Sequence, residues 1–422
     1  MTENRPLAES PGDRMDVSAI LEPLPYHTAL VDYLKTREAE LWKWFSSTTF
    51  LDEYAANIRL ELLKSCYRFD PADHADLYAL VADVQGRLGL TAPVTLYQSQ
   101  IATGMNASLC YVPREIHLVL QGPIRATLSI DEQRALIAHE LTHHLLWERQ
   151  DGELLVADQM LNAMANHSRA EPSHLESLRL FGLYLEVHCD RAALAVSPDP
   201  LAAIGSLIKV ETGLIDAQPE SYLKQSDEIF GQAEVKTEGI THPESFIRAR
   251  ALKLWADRGS RAAAEITRMI EGPAELGRLT LVGQQRMADL TRRVLQRFLT
   301  PRWLRTDPLL AHARLFFTDI ELEKPIPAED RALADDLEGV GESLRKYLCY
   351  VLLDLATVDR SLEQAPLAAA LRLAEELGLG EMFLGQAGEE LDLAKRSLAR
   401  LKKESATILA RLEAGATPPA EV

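Results

Sequence analysis

Ser129-Ile-Asp-Glu-Gln-Arg-Ala-Leu-Ile-Ala-His139-Glu140-Leu-Thr-His143-His-Leu-Leu-Trp-Glu148 is the stretch from which the rest of the chain can be read. Ser129 stands three residues before Glu132, ahead of an apolar-periodic run. That is a capping box, and it predicts a helix from there to about Glu148. Leu136, Ile137, Leu141 and Leu145 give this helix apolar faces to bury. His139 and His143 are four residues apart, so their side chains lie one above the other on one face. Two imidazoles so placed can hold one Zn²⁺ at about 2.0–2.1 Å each. Glu140 follows the first of them and can reach the metal's water as a general base.

A catalytic zinc takes a third protein ligand and keeps a fourth position open. A glutamate ligand would come from a second helix facing the first. The periodic run from about His174 to Ala195 predicts such a helix, and it carries Glu186. Asp190 lies one turn further along the same face. Zinc-bound imidazoles commonly donate their other N–H to a carboxylate, which fixes their orientation, and Asp190 suits that role toward His139. Three neighbours compete with this assignment. His188 is turned to another face, and His144 points about 100° away from His143. Cys189 offers a thiol, but a small buried residue needs no ligand role.

Outward from these two helices the chain is mostly helical. Residues 1–20 are polar and predict a flexible lead-in without the apolar core of a signal peptide. Leu30 to Cys66 predicts two helices, and Leu77 to Leu88 another. The period then changes: Val94 to Gln98 and Glu115 to Gln121 read as strands, the second closed by Gly122-Pro123. A helix follows Thr241-His242-Pro243 and runs to about Arg258. Everything after Ser260 reads as helix punctuated by proline. The expected fold class is therefore mainly α, an α+β core with a small sheet followed by an all-helical region. The expected division is a tail (1–20), a core domain (21–258), a helical connector (259–330), a helical domain (331–415) and a second tail (416–422).

Composition narrows the function further. Of 422 residues, 47% are hydrophobic and 26% charged, so a core of ordinary size can form. The net charge of −18 argues against a surface that tracks phosphates and against docking on an anionic membrane. No run approaches the roughly 18 to 20 apolar residues that span a bilayer. The four cysteines are scattered without a CxxC pair, which favours a reducing compartment. A cytoplasmic protein without nucleic-acid partner or stable membrane insertion is the expectation.

Over about residues 80 to 255 the sequence resembles the CAAX prenyl endopeptidase and HtpX-type family of gluzincin metallopeptidases. Four elements carry the resemblance in the family's order. They are Asn106-Ala107 ahead of the strand Glu115 to Gln121, His139 to His143, Glu186 with Asp190, and His242-Pro243 followed by Arg248. The resemblance implies a gluzincin-like core holding one zinc ion, with Asn106 and Ala107 on the substrate side. It also implies that His242 stabilises the tetrahedral oxyanion and that Arg248 braces the ligands. Cys189 stands where the family usually has alanine, and the membrane helices of many members have no counterpart. Residues 337 to about 395 resemble TerB-like helical domains through Leu348 to Asp359 and Leu367 to Leu379. That resemblance implies a region suited to a protein partner.

These readings converge on a zinc-dependent endopeptidase acting on a soluble protein or peptide. The strand Glu115 to Gln121 is expected to receive the substrate as an added strand. Three other readings compete: a catalytically restrained or inactive relative acting as an interaction module through its helical half, a protease silenced by its own termini, and a regulator tied to nucleic acid.

Overall fold

The computed structural model describes residues 22, 24–47, 51–101, 103–197, 199–232, 235–320, 331–337 and 339–414. The two expected tails, 1–20 and 416–422, lie outside them. The chain divides into two compact units, Met1–Gly272 and Pro273–Val422. It is mainly α-helical with one small sheet. Among the described residues no helix is long and apolar enough to cross a membrane.

The first unit opens with α1 (Pro25–Arg37), α2 (Ala39–Ser46) and α3 (Leu51–Ser65). The sequence predicts two helices here, but α1 stops where Glu38 leaves helical geometry, at φ −118° and ψ 38°. The apolar residues of α2 misled the periodicity: no residue of α2 is buried, and Trp44 is 55% exposed. Next come β1 (Cys66–Arg68), α4 (Ala75–Leu88), β2 (Val94–Ser99), β3 (Asn106–Val112) and β4 (Glu115–Gln121). The sheet order is β1-β2-β4-β3. β4 runs parallel to β2 and antiparallel to β3, and Ile116 to Leu120 are all buried.

β1 and β3 were not predicted. β1 is only three residues long. β3 is joined to β4 through Pro113 and Arg114 alone, and this turn lacks the glycine or asparagine that announces a tight hairpin. Arg114 instead takes a left-handed φ of 62°. The Glu148 carboxylate offsets that strain by accepting from the Arg114 N–H at 3.3 Å and from the Tyr111 hydroxyl at 2.7 Å.

After the short α5 (Ile124–Thr127) come α6 (Ile130–Glu148), α7 (Glu153–Ala165), α8 (Pro172–Val196), α9 (Pro200–Thr212), α10 (Pro219–Gln232), α11 (Ser245–Arg258) and α12 (Ala263–Glu271). α6 packs between β3 and α8, and α8 is buried over most of its circumference from Leu180 to Val196. A helix buried on nearly all sides is apolar all round unless its polar groups pair with one another. On α8 the exceptions are Glu186, His188, Asp190 and Arg191.

Gly122, at the end of β4, has a φ of +69°, and a Cβ there would lie 2.1 Å from the Gly104 carbonyl oxygen. Gly122→Ala combines left-handed strain with a backbone collision that no side-chain rotation relieves. It is expected to destabilise the first unit by about 2–4 kcal/mol, read from urea unfolding.

The second unit contains α13 (Leu281–Phe298), α14 (Asp307–Phe316), α15 (Arg331–Asp335), α16 (Glu342–Val358), α17 (Ala365–Glu376), α18 (Gly380–Glu390) and α19 (Lys395–Glu413). Leu348, Leu352, Leu355, Leu371 and Phe383 lie in its core. Of the apolar run Tyr347 to Leu353, Leu348, Cys349, Val351, Leu352 and Leu353 are buried, whereas Tyr350 is 43% exposed. The division at 272/273 falls within the stretch 259–330 that the sequence presents as a connector.

Candidate metal centre

α6 begins as its sequence dictates. The Glu132 N–H donates to Ser129 Oγ at 3.3 Å, and the Ser129 N–H donates to Glu132 Oε2 at 2.8 Å. Glu132 also pairs with Lys209 at 2.9 Å, tying the start of α6 to α9. Three turns on, His139 and His143 stand on one face with ring centroids 5.2 Å apart. α8 crosses against this face and brings up Glu186.

The Nε2 atoms of both imidazoles face the Glu186 carboxylate, His139 at 3.3 Å from Oε2 and His143 at 3.5 Å from Oε1. Two ligands of a tetrahedral ion with bonds of about 2.0–2.1 Å sit roughly 3.3–3.4 Å apart. Each imidazole therefore stands near ligand spacing from one oxygen of the carboxylate. Glu186 Oε2 is buried and accepts no aligned hydrogen bond, although charged nitrogens approach it. A buried carboxylate oxygen left this way is costly without a partner, and a cation placed among the three groups would supply one.

Behind this set lies a continuous charged network. His139 Nδ1 donates to Asp190 Oδ1 at 3.0 Å. The Arg248 guanidinium donates to both Asp190 oxygens at 2.7 Å each, and lies 3.7 Å from Glu186 Oε2. The bond to Asp190 fixes the ring of His139 and leaves Nε2 as its free nitrogen. Burial would raise the Asp190 carboxyl, but Arg248 outweighs it and holds it at about 2. Burial opposes ionisation of Glu186 too, but His139, His143 and Arg248 hold it well below the usual carboxylate range. Burial pushes His143 down to about 4, leaving a neutral imidazole ready to ligate. Burial would also lower His139. The Asp190 hydrogen bond and the nearby Glu186 charge prevail, and without a cation they push it up to about 10.

Glu140 is not in the ligand cluster. It is buried beside it, and desolvation raises its carboxyl to about 7, against the pull of His139, Arg248 and the Leu109 amide. A carboxylate near 7 is matched to moving protons at neutral pH.

Asn106 and Ala107 line a cleft of about 800 Å³, together with His139, Glu140, His143, Glu186, Trp147 and His242. Asn106 is exposed and Ala107 buried. They belong to β3, not to a loop ahead of the strand. β3 is an edge strand beside α6, whereas β4 has β2 on one side and β3 on the other. The expected substrate strand, Glu115 to Gln121, is therefore corrected: both its edges are already paired. Of the two edge strands, β1 and β3, it is β3 that lies beside α6, and Leu109 turns its amide out of the ladder toward Glu140. A seven-residue run ending in Leu-Cys-Tyr-Val before proline was the signal available in the sequence.

His242 lies on the loop before α11. Its Nε2 stands 3.4 Å from Glu186 Oε2, its ring is 58% exposed, and its Nδ1 shares a 3.0 Å hydrogen bond with the Thr241 hydroxyl. The rival residues are also placed. His144 is buried with its ring 5.7 Å from that of Tyr111. His188 is buried 3.4 Å from the Arg191 guanidinium. Cys189 is closer to the chemistry than its neighbours: with His139 and His143 it forms a group whose ligand atoms all lie within 4.8 Å of one another and which could hold a metal ion. Burial, reinforced by Glu186 and Glu140, pushes its thiol well up. A neutral thiol is a poor ligand.

No family model matches the chain. Over 201 residues, 43% of its length, it is 27% identical to a protein of Arabidopsis thaliana, the chloroplastic plastoglobule-localized metallopeptidase 48. The match spans 57% of that relative's own length. The chain is thus similar over part of its length to a metallopeptidase, and it carries a cluster able to hold a metal.

Proposed function

We propose that the chain is a zinc-dependent endopeptidase acting on soluble proteins or peptides, in the cytoplasm. The observation that carries the proposal is the convergence of His139 Nε2, His143 Nε2 and the Glu186 carboxylate at 3.3–3.5 Å, with Glu140 beside them in an open cleft. Two imidazoles and one carboxylate are a donor set of the catalytic zinc type. When bound, zinc would polarise the scissile carbonyl and acidify water.

The remaining work falls to the chain's own residues. Glu140 takes the proton of the attacking water and passes it to the leaving amine. His242, exposed at the cleft and aimed over Glu186, donates to the oxygen that becomes negative. Antiparallel edges alternate paired and outward backbone groups, so Ala107 turns outward with Leu109. An extended peptide can pair there as a fifth strand, with Asn106 at the end of that edge. Asp190 and Arg248 hold His139 and Glu186 in place without touching substrate.

Glu186 is assigned as third ligand in preference to Cys189, because both Nε2 atoms face its ionised carboxylate and the thiol is held neutral. Cys189→Ala is expected to retain one equivalent of zinc. Glu186→Gln is expected to bind zinc more weakly by at least the roughly 10–100-fold typical of losing an outer partner. Metal analysis after dialysis against a weak chelator checks both, and the opposite pattern would move the site to the thiol. The function itself is tested by metal content and peptide-library cleavage of the purified chain. Absence of cleavage by the zinc-loaded protein would sink the peptidase reading.

A further inference from the structure

Residues 235–244, between α10 and α11, form neither helix nor strand. Irregular backbone of this kind is ordinarily the mobile part of a fold. Yet it delivers His242 Nε2 to 3.4 Å from Glu186 Oε2, and a working side chain must be held to within about 0.5 Å. The loop has its own fastening. At its base the Thr237 hydroxyl donates to Glu244 Oε2 at 2.6 Å, and the Glu238 N–H donates to Glu244 Oε1 at 2.9 Å. The same Thr237 hydroxyl accepts from the Gly239 N–H at 3.1 Å. Thr237 is fully buried, and its own N–H donates to the Met269 carbonyl on α12 at 2.8 Å. One carboxylate and one hydroxyl thus close an eight-residue ring of chain around His242.

Two further contacts set the height of that ring. Arg179, held by Glu176 at 2.8 and 3.0 Å, donates to the Gly239 carbonyl at 2.7 Å. Arg179 sits on α8, two turns before Glu186, so the helix that carries the carboxylate also carries the strut for the loop opposite it. In addition, a Cβ on Gly239 would lie 1.9 Å from the His242 carbonyl oxygen. The backbone at 239 and 242 is pressed together closely enough to require glycine.

We propose that Thr237, Gly239, Glu244 and Arg179 form a clasp that positions the His242 imidazole over the Glu186 carboxylate, with Thr237 and Arg179 as positioning residues for hydrolysis. Its consequence for turnover rests on His242 being the oxyanion donor.

The test uses the full zinc-loaded chain and Thr237→Val, which keeps the shape of threonine and removes the hydroxyl. Amide exchange across 236–245 reads the clasp independently of activity. The Glu238 and Gly239 amides are expected to exchange at least ~10-fold faster. On a reporter peptide taken from the cleaved library, kcat is expected to fall by roughly 10- to 100-fold. KM should stay within about twofold, since ground-state binding is untouched. Zinc content should not change, and Thr237→Ser should restore both readouts. In a His242→Ala background Thr237→Val should add nothing further to the loss of kcat. Unchanged exchange would overturn the clasp, as would an equal loss of kcat in the His242→Ala background. Faster exchange with His242→Ala cleaving as wild type would overturn the role of His242. A wild-type chain that cleaves nothing would overturn the peptidase reading, and exchange alone would then judge the clasp.

Discussion

Glu140→Gln is expected to lower peptide hydrolysis by roughly 10²–10⁴-fold while the protein keeps its fold and its equivalent of zinc. The reason lies in the division of labour at the centre. Glu140 lies beside the ligand set and outside it, so the amide removes a proton acceptor and leaves His139, His143 and Glu186 alone. Glu140 is itself buried at the cleft, and desolvation raises its carboxyl to about 7. A base must be unprotonated, so turnover should decline as pH falls below that region, and a bound cation shifts the decline to lower pH.

The same shift has a stability counterpart. A carboxyl raised from 4.5 to about 7 in the fold destabilises it increasingly as pH rises through that interval, and fully above it. The zinc-free Glu140→Gln protein should therefore be more stable than wild type at pH 8, by on the order of 1–3 kcal/mol. The measurements are turnover on a reporter peptide, zinc content, and urea unfolding with zinc removed. A variant that keeps its zinc and cleaves at the wild-type rate would end the proposed role of Glu140.

Asp190→Ala is expected to be the most destabilising change at the centre, by about 3–5 kcal/mol, and to weaken zinc binding by roughly 10–100-fold. Asp190 accepts three hydrogen bonds, one from His139 and two from Arg248. Its removal strands a guanidinium that is only 12% exposed, with Glu186 at 3.7 Å as its remaining carboxylate. It also frees the ring of His139 to rotate. If the loss comes from the stranded charge, Arg248→Met in the same chain should recover part of it, because an apolar side chain needs no counter-ion. Urea unfolding of wild type, both single variants and the double variant forms the cycle. Strictly additive losses would show that the two residues do not act as one network.

The two helices of the centre were legible because their signals are local. The capping box at Ser129 and Glu132, the spacing of His139 and His143, and the placing of Glu186 and Asp190 on one face all follow from 3.6 residues per turn. The mainly α fold with a small sheet was legible for the same reason, since long periodic runs leave little choice. β3 was not, because its hairpin turns through Pro113-Arg114, and the strain at Arg114 is compensated by Glu148, 34 residues away. Strand order was equally out of reach. It is set by which apolar faces meet in space, and it decides that the free edge beside Glu140 belongs to β3 rather than β4.

The sequence by itself offered the candidate donors, their placing on two helices and the candidate base. Only the tertiary structure decided their separation of 3.3–3.5 Å, the raised carboxyl of Glu140 and the place of Cys189 near the two imidazoles. It alone revealed the clasp from Thr237 to Glu244 that sets His242 over Glu186. The physical reason is one of range. Helix periodicity acts over a few residues of chain, whereas desolvation, ion pairing and edge pairing depend on groups that meet across tens of residues once the core has closed.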